Sequence, residues 1–306
     1  MSDLILHHFD ASPFAEKIRK IFGVKGLSWR SVQIPMVTPK PDLTALTGGY
    51  RKTPVLQIGA DIYCDTQLIA RIIDHLHPEP PLFKSGPLAA FGLQQWCDAA
   101  FFAPGAALSL FENAEHIPAD VAKDREDYFT FLNFNTFAQD APHFRSQFRA
   151  HFRLIEQQLS DGRGFLFGSN PEWADIGGYF NFWMAENNIP SSAQYFKDMH
   201  HAGTWYARMK DFGAGVREEI SPGAALEIAN THSPNDQALG APIKDESGAK
   251  IGDAVTVTPS DHGKVPVAGV LSHINDHEIV IRRNDDRAGA VAVHFPRLGF
   301  RVEKAG

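Results

Sequence analysis

The sequence predicts a multidomain chain with three successive parts: a mixed α/β domain over residues 1–78, an all-helical bundle over 86–232, and a small all-β, barrel-like domain over 236–306. Strand and helix patterns alternate in the first part, and apolar residues recur every three or four positions in the second. Short β-rich runs separated by turn residues fill the third. Segments rich in proline and glycine, at 77–87 and 235–252, mark the boundaries.

The first domain opens with an apolar strand at residues 4–9. The helix after it begins at Ser12 and Pro13, a capping serine and a first-turn proline, and Gly23 is placed to end it. A second strand is predicted at 29–34, and a hairpin and another helix follow. This order of elements is typical of an α/β sandwich of the thioredoxin type.

Residues 48–76 form the most informative stretch of this domain. Pro54 opens the first strand of the hairpin, where its missing N–H is tolerated and where a Thr-Pro bond can be cis. The turn at 59–61 leads to a second strand, and Asp65 and Thr66 are both suitable N-caps for the helix that follows. A helix N-terminus beside a hydroxyl and a carboxylate can hold a ligand that carries both a carboxylate and an ammonium.

This ordered combination resembles the glutathione-binding half of the glutathione S-transferase family, in which V-P-x-L precedes a hairpin and then E-S or Q-S. T-P-V-L and D-T-Q-L-I stand in those places here. The resemblance implies that the backbone of Thr53, before a cis Pro54, pairs with the cysteinyl part of glutathione. Asp65 and Thr66 would hold its γ-glutamyl end, although Asp replaces the family's Glu and Thr its Ser.

Ser12 is the first candidate for the catalytic residue. S-P-F-A occupies the place of C-P-F-A in the omega-like transferases, whose cysteine forms mixed disulfides with glutathione. A serine cannot do that redox chemistry, but its hydroxyl can donate a hydrogen bond to sulfur beside the positive end of a helix. We therefore expect the glutathione thiolate to attack an electrophile.

His8 is the second candidate. H-H-F-D-A-S-P-F-A-E-K-I-R also aligns with the H-Y-F-D opening of tyrosine-type transferases, and His8 then takes the place of the activating tyrosine. An imidazole N–H could donate a hydrogen bond to the thiolate. The alternative is that His8 has no catalytic role and that its imidazole forms hydrogen bonds with neighbouring residues, as is usual for a histidine in a strand.

The glycine carboxylate of glutathione needs a cation or another donor. Gln33, Lys40, Arg51 and Lys52 are all candidates near the proline loop, and the sequence leaves the choice open. Lys52 is grouped with Thr53, Pro54, Asp65 and Thr66 in the predicted glutathione site. Each of these cations alone could equally be a solvated surface residue.

The middle of the chain reads as a phenylalanine-rich helical bundle. Helical patterns cover residues 88–113, 122–132 and 143–159, and most of the phenylalanines there should pack the core. F-L-F-G followed by E-W-A-D-I matches a second family landmark, a loop before a capped helix. Asp175 would complete that cap, with Glu172 in the place of the family's hydroxyl residue and therefore a weaker box.

Five β-rich runs, near 254–258, 265–273, 278–283, 290–295 and 300–302, predict a small antiparallel barrel or sheet at the end of the chain. This part lies outside the usual transferase pattern and carries no recognisable chemistry. A role in protein interaction, in extending a dimer or in covering a pocket stays open.

Composition excludes several classes of function. The net charge of −7 gives no reason to expect nucleic acid or an anionic membrane as a partner. We see no signal peptide and no apolar run near the ~20 residues that span a bilayer. The two cysteines form no C-x-x-C motif and the 14 histidines no H-E-x-x-H motif, so we expect reduced thiols, a cytoplasmic location and no metal site.

The resemblance implies a dimeric, cytoplasmic enzyme with glutathione as co-substrate and a small apolar electrophile as second substrate. The main alternative is a non-catalytic binding or scaffold protein that keeps the transferase fold, because fold does not guarantee activity. A glutathione-dependent isomerase or lyase is a third possibility.

Overall fold

The structure, a computed structural model, describes residues 3–129, 131–235 and 238–305. The described chain divides into two compact units. One comprises Met1–Ile18, Leu27–Leu76 and Val216–Gly306, and the other Arg19–Gly26 and His77–Gly215. None of the helices in the described residues is long and apolar enough to cross a membrane.

Ten strands of the described residues form one sheet in the first unit, in the order β10-β6-β7-β8-β9-β4-β3-β1-β2-β5. They are β1 Ile5–His8, β2 Ser28–Gln33, β3 Val55–Ile58, β4 Asp61–Cys64, β5 Val216–Glu219, β6 Ala254–Pro259, β7 Val267–Ile274, β8 Glu278–Asp285, β9 Gly289–Pro296 and β10 Phe300–Lys304. Helices α1 Pro13–Val24 and α2 Pro41–Thr47 follow β1 and β2 in the chain, and α3 Thr66–Leu76 follows β4. Parallel β1–β2 pairing and the antiparallel β3–β4 hairpin confirm the predicted thioredoxin-like fold.

The C-terminal strands are present as predicted, but they do not form a separate sheet. Strand β9 runs parallel to β4 and pairs with it through Asp61 and Ala292, Ile62 and Val293, and Tyr63 and His294. The two groups of strands also share one apolar core. The first unit includes residues up to Leu76, near the predicted boundary at 78, and resumes at Val216, before the predicted boundary at 232. The predicted start at 236 lies outside the described residues.

The physical reason for this difference is the edge of β4. A strand edge presents unpaired backbone N–H and C=O groups, which must be paired or covered. In this chain β9 covers that edge. Periodicity showed that strands were present, but pairing between residues more than 200 positions apart leaves no mark in the local pattern.

A buried cluster of charged side chains lies where β4 pairs with β9. The His294 imidazole lies 3.1 Å from Asp61 through Nε2 and 3.1 Å from Glu278 through Nδ1, and its ring stacks on Tyr63. All of these side chains are buried. Burial alone would lower the pKa of His294, but the hydrogen bonds and charges of the two carboxylates outweigh it and raise that pKa. The site therefore favours an imidazolium.

The second unit is helical, as predicted. Its helices are α4 Pro87–Trp96, α5 Phe102–Glu112, α6 Ala119–Tyr128, α7 Phe137–Gln158, α8 Trp173–Asn188, α9 Ala193–Phe196 and α10 His200–Asp211, with a π-helical turn at Cys97–Phe101. The predicted stripe on α7 packs the core through Phe148 and Phe152. Helix α11, Pro222–Thr231, follows β5 and belongs to the first unit.

The cap of α8 forms in the predicted register. Asp175 accepts hydrogen bonds from the backbone N–H groups of Leu166 and Glu172 and from the indole of Trp205. Burial raises the pKa of Asp175 to about 6, against the effect of these donors. The Glu172 carboxylate accepts from both the backbone and the hydroxyl of Ser85, and the capping box is present. The box therefore forms with glutamate at the cap.

The charge cluster generates a prediction for stability. His294→Gln should lower the free energy of unfolding by about 3 kcal/mol at pH 6, because two buried carboxylates lose the cation between them. Since the pKa of His294 is raised in the folded state, its stabilisation is fully present below about pH 6.5 and is lost as the pH rises through the folded-state pKa. Urea denaturation from pH 6 to 9 should show variant and wild type converging.

His7→Gln provides the matched control. His7 is also buried in this sheet, but burial lowers its pKa to about 4 despite a hydrogen bond to Gln57, so it is neutral across the tested range. Because unfolded His7 still binds a proton near pH 6.5, the loss of stability in His7→Gln should grow by somewhat less than about 1 kcal/mol from pH 6 to 9, the opposite direction to His294→Gln. A gap for His294→Gln that does not narrow as the pH rises would mean that His294 is not held as an imidazolium in the folded protein.

Candidate functional site

Ser12 lies at the N-terminus of α1, as predicted. Its backbone N–H donates to the carbonyl of Phe9 at 3.1 Å, and its Oγ accepts from the backbone N–H of Ala15 at 3.2 Å. The chain folds this way because Pro13 has the backbone angle of a first helical residue and needs no hydrogen bond to its nitrogen. Ser12 accepts through a lone pair, so its hydroxyl hydrogen can be donated to a ligand atom.

His8 lies at the end of β1 and is fully buried. Its Nε2 is 3.0 Å from the hydroxyl of Ser31, and its ring packs against Trp29. The carboxylate of Asp10 lies 4.0 Å from Nδ1. A hydrogen bond from His8 to a ligand would compete with these neighbours. The Ala15 bond to Ser12, by contrast, uses the hydroxyl oxygen as acceptor and does not use the hydroxyl hydrogen.

The proline loop and the start of α3 have the predicted local geometry. The Thr53–Pro54 peptide bond is cis, and Asp65 adopts the left-handed conformation with φ of 73°. Aspartate tolerates this conformation better than most residues. Its Oδ1 accepts from the backbone N–H of Gln67 at 3.0 Å, so Asp65 caps the helix that Thr66 begins.

Lys17 is a residue that the sequence analysis missed. Its side chain is fully buried, and its ammonium donates to the hydroxyl of Thr66 at 2.8 Å. The bond connects α1, whose first turn Ser12 caps, to the turn that contains Asp65. Lys17 also lies over the ring of Phe14. A signal was available, since Lys17 falls three residues after Phe14 on the apolar stripe of α1, where a charged residue is unusual.

The candidate residues for binding the glycine carboxylate have different partners in the structure. Lys40, largely buried, donates to the hydroxyl of Thr53 at 3.1 Å. Lys52 instead lies 2.5 Å from the carboxylate of Asp261, in the loop between β6 and β7. The amide of Gln33 is 3.4 Å from Asp10, and Arg51 is half-buried. Lys40 is thus the cation that contacts the residue before the cis bond, and Lys52 contacts the C-terminal strands.

These groups could bind a zwitterionic, peptide-like thiol. Ser12 offers a hydroxyl at the positive end of a helix, Thr53 offers backbone groups, and Asp65 offers a carboxylate to an ammonium. Lys40 adds a positive charge for a carboxylate. Within residues 3–129, 131–235 and 238–305, no group of three or more histidine, cysteine, aspartate or glutamate side chains could hold a metal ion.

The fold defines the class of protein, a thioredoxin-like domain with an all-helical unit. The family model for the N-terminal domain of glutathione S-transferase matches residues 6–81. A solved GST-like protein from Pseudomonas syringae is 40% identical and aligns over 100% of both chains with a TM-score of 0.83. The chain therefore belongs to the glutathione S-transferase family.

Other relatives cover less of the chain. Glutathione S-transferase U4 from Arabidopsis thaliana is 25% identical over 142 residues, which are 45% of this chain and 62% of that relative. The chain thus spans less than two thirds of this curated relative. FzlA from C. crescentus, 24% identical with a TM-score of 0.51, covers 68% of this chain and shares the fold. The C-terminal strands fall within the full-length match to the Pseudomonas syringae protein.

The Lys17–Thr66 contact generates a stability prediction. Thr66→Val removes an acceptor from a buried ammonium and should lower the free energy of unfolding by about 1–3 kcal/mol. Thr66→Ser keeps the hydroxyl and should recover most of that loss. Guanidinium denaturation of the three proteins measures both effects. A loss in the serine variant with none in the valine variant would show that methyl packing, and not the hydrogen bond, stabilises this turn.

Proposed function

We propose that this chain is a glutathione transferase that stabilises the thiolate of bound glutathione for attack on a small apolar electrophile. The observation that carries the proposal is the hydrogen bond from Lys17 to Thr66. It ties the helix that Ser12 caps to the turn that presents Asp65. Membership of the glutathione S-transferase family and the 40% identity to a GST-like protein support it.

In this proposal, Asp65 and Thr66 bind the γ-glutamyl end. The Asp65 carboxylate accepts from the ligand ammonium, and the first backbone N–H groups of α3 face its carboxylate. The backbone of Thr53, beside Pro54, pairs with the cysteinyl residue.

Lys40 or Lys52 then binds the glycine carboxylate of glutathione. Lys40 is favoured by its contact with Thr53, the residue before the cis bond. Lys52 is held by Asp261 and is the second candidate.

Ser12 acts on the sulfur. Its hydroxyl donates to the thiolate, and the N-terminus of α1 adds positive potential, so both lower the pKa of the bound thiol. The thiolate then forms a carbon–sulfur bond with the electrophile, whose leaving group departs with the bonding pair or whose carbanion takes a proton from water. We further propose that the enzyme is a cytoplasmic homodimer.

The binding role of Asp65 has a direct test. Asp65→Asn keeps the side-chain shape and tolerates the left-handed backbone, but it removes the charge that would face the ligand ammonium. A lost charge-assisted hydrogen bond is worth roughly 1.5–3 kcal/mol, so the glutathione Kd should rise about tenfold or more in calorimetry. Asp74→Asn, later in the same helix, is the control and should bind normally. Unchanged affinity in Asp65→Asn would remove Asp65 from the site.

The role of Ser12 is tested by titrating thiolate absorbance in proteins saturated with glutathione. Ser12→Ala should raise the pKa of the bound thiol by about one unit, equivalent to about 1.4 kcal/mol of lost thiolate stabilisation. Ser12→Thr retains a hydroxyl and should restore most of the effect, while His8→Ala should leave the pKa near that of wild type.

The same titration distinguishes the alternatives. If His8→Ala alone raises the thiol pKa, His8 is the activating residue and Ser12 is only a helix cap. If glutathione binds but neither variant changes its pKa, the chain is a non-catalytic binding protein of the transferase fold.

A further inference from the structure

The loop at residues 48–52, G-G-Y-R-K, is anchored by the C-terminal strands. Tyr50 is 2% exposed and belongs to the same apolar core as β6–β10. Its ring lies 5.9 Å from the ring of Phe295 in β9 and 6.3 Å from that of Phe300 in β10. These two aromatic contacts hold the middle of the loop against β9 and β10.

A second contact fixes the beginning of the loop. Gly48 ends α2 with φ of 77°, and a Cβ placed there would lie 2.5 Å from Nε of Arg283 in β8. The same guanidinium donates to the carbonyl of Ala45 at 3.2 Å. Glycine at position 48 therefore serves two requirements, the left-handed backbone and the close approach of Arg283.

A third contact fixes the end of the loop. The ammonium of Lys52 lies 2.5 Å from Asp261 and 5.8 Å from the centre of the Phe300 ring. Partial burial raises the pKa of Asp261, but the charge and hydrogen bond of Lys52 outweigh it and the net shift is downward. The carboxylate is thus ionised beside Lys52 at neutral pH. The next residue in the chain is Thr53.

We propose that strands β6–β10 brace loop 48–52 and so pre-position Thr53 for glutathione, with Tyr50 and Asp261 as positioning residues that do not touch the ligand. The proposal rests on the glutathione site proposed above. Gly48 and Gly49, with φ of 77° and 105°, would otherwise make the loop flexible. Ordering a flexible loop on binding costs free energy, and a loop that is already ordered avoids that cost.

The test combines two measurements on the full chain. Hydrogen exchange of the backbone amides at 49–53, without any ligand, reports the brace directly. Calorimetry with glutathione reports its consequence. Asp261→Asn and Phe300→Leu should both accelerate exchange in this segment. Asp261→Asn should also raise the glutathione Kd about two- to fivefold, the range for a partly exposed ion pair.

The matched control is Asp253→Asn, which breaks a 2.8 Å ion pair with Lys304 at the far side of the same strands. It should change neither exchange at 49–53 nor affinity. A double-mutant cycle adds Lys52→Met: if Asp261 acts through Lys52, Asp261→Asn has no further effect on affinity in that background.

The outcomes separate this inference from the proposed function. Unchanged exchange at 49–53 in both Asp261→Asn and Phe300→Leu would overturn the brace, whether or not glutathione binds. Tighter binding by Asp261→Asn would also overturn it, because Asp261 would then compete with the ligand for Lys52. Accelerated exchange in a protein whose wild type binds no glutathione would support the brace and reject the proposed function.

Discussion

The pairing of β9 with β4 is the constraint on which the first unit depends. Without β9, the hairpin β3–β4 would end the sheet with unpaired backbone groups, and the shared apolar core would be open to water. The pairing places His294 between two buried carboxylates. A buried cation of this kind stabilises the fold only while both carboxylates remain in place, so the cluster also penalises any shift in register.

The same pairing brings the C-terminal strands to the loops that precede and follow β3. Asp261, Arg283 and Phe300 contact loop 48–52, and Asp61, the first residue of β4, lies against His294. Strands that carry no recognisable chemistry can thus influence a ligand site through position alone. In this chain the C-terminal strands add contacts to a loop that precedes the cis proline.

The sequence predicted those features whose causes are local. Pro13 after Ser12 specifies a capped helix start, and the apolar spacing of α7 specifies its buried face, because both depend on neighbours within a few residues. The partner of Lys17 and the pairing of β9 depend on residues about 50 and 230 positions away. The sequence could not distinguish Lys40 from Lys52 for the same reason. The two differ in their partners in the fold, which are Thr53 for Lys40 and Asp261 for Lys52.

The different partners of Lys40 and Lys52 affect how the protein would attract an anionic ligand. The chain carries a net charge of −7, which at long range disfavours glutathione, a ligand with two carboxylates and one ammonium. Ionic screening reduces that repulsion beyond about 8 Å at physiological salt, so charges within a few ångströms decide binding. Asp261 largely neutralises Lys52, whereas Lys40 contacts a neutral hydroxyl on Thr53. A ligand carboxylate that paired with Lys52 would therefore have to displace Asp261, whereas the Thr53 hydroxyl does not offset the charge of Lys40.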